Sequence, residues 1–197
     1  MERADAERVF ALVAEIGGDL RGRIIAERWW LVWIVIGIQI LLTNALTQLF
    51  LWNGESRPLV YFGLWGLSVL LIPPIIFFIH RRGGGQRTAT EMYIWWIWMT
   101  FILAATGVGL FNQAAGLPLF FTAPLLGLLA AFAFSMMAMV THRFFLVYAF
   151  VFLAVMLAMG VFPHVQLLIY GSAWCVALVV LGIYFRLNIV SHSARQL

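Results

Sequence analysis

Six long apolar runs separated by short polar or charged breaks dominate the chain, at roughly residues 29–52, 59–79, 92–111, 119–140, 144–162 and 165–185. Each approaches the ~20 residues a helix needs to cross about 30 Å of hydrocarbon. The pattern predicts an all-α integral membrane protein: a six-transmembrane-helix bundle over 29–187, preceded by a cytoplasmic segment at 1–28 and followed by a short cytoplasmic tail at 188–197. Within the first segment Val9, Val13, Ile16, Leu20 and Ile24 recur at helical spacing opposite Arg8, Glu15, Asp19 and Arg23. That periodicity predicts an amphipathic helix, interrupted at Gly17 and Gly18, that lies at the membrane interface or docks a cytosolic partner. The polar, charged start lacks the apolar core of a signal peptide, so the first run is expected to be its own membrane anchor.

Polar residues inside the runs carry more information than the apolar ones. In the first run Gln39, Thr43, Asn44, Thr47 and Gln48 fall at i, i+4, i+5, i+8 and i+9 and form one stripe. Polar side chains facing lipid are costly, so the stripe is expected to face protein or a wet cavity. It serves either interhelical hydrogen bonding or an outward-open polar pocket, and these five residues are the candidate ligand-binding set. Ser68, Thr100, Thr106, Thr122, Gln166, Tyr170 and Ser172 are further candidates at similar depth. In the fourth run Ala123, Gly127, Ala131 and Ser135 repeat every four residues, a small-residue face for close helix packing that predicts a central helix. Pro73 and Pro74 are expected to kink the second run and release the carbonyls of Val69 and Leu70, which neighbouring helices or a ligand would then satisfy.

A repeat runs through the even-numbered segments. They open at Pro58, Pro118 and Pro163 and close on Ile79-His80-Arg81, Thr141-His142-Arg143 and Tyr184-Phe185-Arg186. Two readings compete: three copies of one helical hairpin, or the general preference of proline for helix first turns and of arginine for inner membrane ends.

Composition closes several classes. With 64% apolar and 10% charged residues and a mean hydropathy of +0.99, a soluble domain is excluded. All twelve basic residues are arginine, and eleven fall on alternate ends of the runs, Arg57 alone lying on the other side. Under the positive-inside rule both termini are cytoplasmic in a bacterial inner membrane, with loops 80–91 and 141–143 inside and loops 53–58, 112–118 and 163–164 outside. The net charge of +4 then reflects topology, and no nucleic-acid partner is expected. The lack of lysine excludes Schiff-base chemistry, and the single Cys175 excludes a disulfide framework or a thiolate metal site.

No ionisable side chain lies in the middle of any run, which argues against proton relays and intramembrane hydrolysis, and no catalytic motif occurs. The chain is therefore expected to be non-enzymatic and without a cofactor. His80 and His142, each followed by an arginine, offer one exception, a pair of axial ligands for a b-type haem; headgroup-contacting caps are the competing reading. The deeper tryptophans Trp33, Trp65, Trp98 and Trp174 suit packing or an aromatic cage. These observations point first to a transport-related or permease-like subunit handling a neutral or amphiphilic small molecule. The alternative is an interaction or sensor subunit that assembles with membrane proteins through the small face of the fourth helix. Besides the lipid bilayer, a cytosolic or membrane protein partner is expected at residues 1–28 and 80–91.

Overall fold

The computed structural model describes residues 29–55, 57–80, 89–117 and 119–193. The expected amphipathic helix at 1–28 and most of loop 80–91 lie outside the described residues. Those residues hold six α-helices: α1 (Trp29–Trp52), α2 (Pro58–His80), α3 (Ala89–Ala114), α4 (Leu119–Val140), α5 (Phe145–Val161) and α6 (Gln166–Ser193), with a short 3-10 turn at Pro163–Val165. No strand occurs among them. Five helices are long and apolar enough to cross a membrane; α5, at 17 residues, is about 26 Å long and slightly short of a bilayer core.

Helix ends follow local chemistry. Gly54 (φ 74°) and Gly116 (φ 63°) close the turns after α1 and α3 in the left-handed region, where glycine carries no Cβ penalty. α2 stays one helix through Pro73 and Pro74. α6 continues to Ser193, well past the end of its apolar run, because 186–193 contains neither glycine nor proline to stop it.

The most extensive interfaces join α1 to α6 and α4 to α5; α3 packs on α4, α2 on α1, and α5 on α6. The first and last of these helices thus share the broadest interface, and consecutive helices pack together except for α2 and α3, which share little contact. At the centre Phe134 of α4 is 1% exposed and meets the rings of Trp98 from α3, Tyr148 and Phe152 from α5, and Trp174 from α6, at centroid distances of 5.3–5.5 Å. Each such aromatic pair adds on the order of 1 kcal/mol beyond area burial. Trp98 and Trp174 are therefore packing residues of this cluster, 5.7 Å apart.

The flanks differ sharply. In α2 the one buried residue among those described is Ser68, and large apolar side chains such as Leu59, Leu70 and Phe78 are exposed. Apolar exposure on this scale exceeds what soluble monomers carry and is compatible with a membrane protein.

Candidate functional site

The polar stripe of α1, half-buried at Gln39 and buried at Thr43, Asn44, Thr47 and Gln48, divides between two neighbours. Toward α2, Gln39 Nε2 donates to the backbone carbonyl and, at 3.1 Å, to the hydroxyl of Ser68, and Thr43 Oγ1 donates to the same hydroxyl at 3.1 Å. Toward α6, Gln48 Nε2 donates to the carbonyl of His164 at 3.1 Å while its Oε1 accepts the Leu167 backbone N–H at 3.3 Å. Leu167 supplies one of the first-turn N–H groups that no helix can satisfy internally, so Gln48 caps α6 from another helix. Trp52 Nε1 donates to the same His164 carbonyl at 3.0 Å.

Thr47 and Asn44 turn inward. Thr47 Oγ1 donates to Thr43 O at 2.7 Å and Asn44 Nδ2 to Ile40 O at 2.8 Å, both within α1. Asn44 is 0% exposed, and its Oδ1 has no hydrogen-bond partner among the described residues; Gln39 Oε1 is in the same condition. Three further buried oxygens have no partner among the described residues: Thr122 Oγ1 on α4, Tyr148 Oη on α5 and Gln166 Oε1 on α6. A buried unpaired acceptor costs roughly 1–3 kcal/mol. The stripe therefore combines hydrogen bonds that tie helices together with acceptors that a donor would satisfy.

The remaining polar positions scatter. Thr100, Thr106 and Ser172 are exposed, and Thr106 donates back to Ile102 O at 2.8 Å. Tyr170 sits in the aromatic cluster against Phe152 and Trp174. The small face of α4 packs against α5: a methyl group built on Gly127 would lie 2.8 Å from Met159 Cε and 3.3 Å from Met156 Cα, Ala123 and Ala131 are buried, and Ser135 donates to Ala131 O at 2.9 Å.

His142 lies in the exposed α4–α5 turn, its Nδ1 accepting the Phe144 backbone N–H at 3.1 Å. His80 ends α2, and its side chain is outside the described residues. Among the described residues no three His, Cys, Asp or Glu side chains cluster as metal ligands would.

Two features escape the sequence reading. The first is the seam between α1 and α6: methyl groups built on Gly171 and Gly182 would lie 2.7 Å from Asn44 Cβ and from the Trp30 carbonyl, and one on Gly37 would lie 3.1 Å from Leu178 Cβ. The i, i+4, i+11 spacing of Gly171, Cys175 and Gly182 carries this signal in the sequence. The second is a notch of about 410 Å³ between α3 and α4, lined by Gly107, Val108, Phe111, Asn112, Leu117 and Leu125.

Fold and site thus define a helical protein with membrane-length apolar spans and an uncharged, hydrogen-bonded polar seam. In comparisons with known proteins, no family model, curated protein or solved structure matches the chain.

Proposed function

We propose that this is a non-enzymatic, multi-pass inner-membrane protein with both termini cytoplasmic, a transport-related or permease-like subunit handling a neutral or amphiphilic small molecule. The observation that carries the reading is Asn44: a carboxamide oxygen wholly buried at mid-helix, without a donor, on a stripe that contains no charge. Acceptors without ionisable neighbours suit a neutral hydrogen-bond donor, and leave no group for proton coupling. Energy then comes from a partner or from the gradient of the solute itself.

Asn44 makes no interhelical hydrogen bond, so Asn44→Ala removes the acceptor while leaving the ties to α2 and α6 in place. Proteoliposomes holding the purified protein should swell in glycerol or urea gradients faster than protein-free ones, and Asn44→Ala should reduce the protein-dependent rate about tenfold with an unchanged thermal melt. An equal rate in the variant, or no protein-dependent flux at all, rejects the reading.

One observation favours the second reading, a subunit that assembles with other membrane proteins. α2 fully buries a single described residue against its own chain and leaves most of its other side chains exposed. The small face of α4 is occupied by α5, so α2 is the better candidate for such a contact.

A further inference from the structure

Within the notch between α3 and α4, five of the six lining residues are apolar or glycine, and the sixth, Asn112, is 7% exposed. Asn112 spends its amide on the adjoining turn, Nδ2 donating to Leu117 O at 2.9 Å while Leu117 N–H returns to Asn112 O at 3.0 Å. Gly107 lines the notch without a side chain, and a methyl group built there would meet nothing within 4 Å. The volume falls within the range of small-molecule sites.

Chemistry around the rim selects the occupant. Phe111 on α3 and Leu125 on α4 line the notch and are exposed, as are Leu103 and Leu110 on α3 and Leu128 on α4. It opens onto the apolar band of two membrane-length spans, Met92–Ala114 and Thr122–Val140, where hydrocarbon is the solvent. One end reaches the 112–117 turn, the polar boundary of those spans. An occupant with a hydrocarbon body between the helices and a polar end at that turn satisfies both regions. We infer that the notch holds one acyl chain of a bilayer phospholipid, in the leaflet adjoining the Asn112–Leu117 turn. Gly107, Phe111 and Leu125 line it, and dispersion contacts along the chain supply the affinity. This site is independent of the α1 stripe and would stand or fall without it.

The test is native mass spectrometry of the full-length protein purified from membranes with stepwise exchange into a mild detergent. The wild-type chain should retain one phospholipid after bulk lipid is removed. Gly107→Phe, which fills the notch, should lower the fraction carrying that lipid at least tenfold. Gly109→Phe, also placed where a new side chain meets nothing, lies outside the lining and should retain it at the wild-type level. Circular-dichroism melts of all three proteins establish that each is folded. Equal retention by the two variants, equal loss by both, or a wild-type protein carrying only detergent overturns the assignment.

Discussion

At the scale of single residues, glycine decides how close α1 and α6 come. Gly171 and Gly182 each bring the partner helix to within 2.7 Å of where a Cβ would stand, and at Gly182 the obstructing atom is the Trp30 carbonyl, which belongs to backbone. In a bilayer, apolar burial drives helix association weakly, so such close backbone packing carries much of the interface. Gly182→Ala should therefore destabilise the protein by about 1–3 kcal/mol, the usual cost of forcing atoms into a packed seam. The companion change Gly160→Ala on α5, where added bulk meets open space, should be neutral or stabilising by up to about 1 kcal/mol through reduced backbone entropy. Reversible unfolding in mixed micelles would measure both, and equal effects of the two substitutions would remove the α1–α6 seam as a determinant of stability. Near the same seam Arg186 lies over the Trp30 ring at 4.9 Å, a second tie between the two helices. Tryptophan and arginine at this end of the bundle thus also tie two helices together.

At the scale of elements, α2 depends on α1. Its one buried described residue is Ser68, and Ser68 is the residue that Gln39 and Thr43 bind. Interhelical hydrogen bonds in membranes contribute about 0.6 kcal/mol each on average, so removing the three that Gln39 and Thr43 make to Ser68 should cost about 2 kcal/mol and loosen the helix. Spin labels at Leu70 on α2 and Val176 on α6, in a Cys175→Ser background, would report this by pulsed dipolar spectroscopy. The wild type should give one narrow distance distribution and the Gln39→Leu, Thr43→Val double variant a distribution several ångströms broader; an unchanged width would mean that apolar packing alone seats α2. The positions of the helices were legible in the sequence because the cost of polar groups in hydrocarbon sets where a span begins and ends, and α1 and α4 match their apolar runs. Which helices pair was not legible. A span that is apolar all round has no preferred face for a reader to find, so partners are chosen by shape, at Gly127, Gly171 and Gly182. The stripe on α1 was visible as polarity, but its division between Ser68 and the α6 N-terminus needed the fold, because those partners lie 25 to 119 residues away in sequence.

At the scale of the whole molecule, the contact between Trp52 and His164 constrains the number of membrane crossings. Trp52 ends α1, His164 precedes α6, and their hydrogen bond, together with Gln48 on the same carbonyl, puts both at one face of the bundle. Four helices separate them. If α2, α3 and α4 each cross, α5 must cross too, since three crossings would leave Trp52 and His164 on opposite sides. The 17 residues of α5 then span with help from Phe162 and the 3-10 turn that follow it, or from a locally thinner bilayer. Arg57, in the loop after α1, has its guanidinium paired with Glu55 at 2.6 Å, and that hydrogen bond and charge raise its pKa above the ordinary arginine value, so this arginine brings its own counter-charge. Single cysteines at Asn53, Gln113, His142 and His164, all exposed, test the topology in a Cys175→Ser background. A membrane-impermeant maleimide should label positions 53, 113 and 164 in intact spheroplasts and reach 142 only after permeabilisation. The inverse pattern would keep the crossings and reverse the orientation, against the arginine distribution. Labelling of 53 and 164 from opposite sides would break the crossing argument itself, because one face of a rigid bundle cannot meet both solvents.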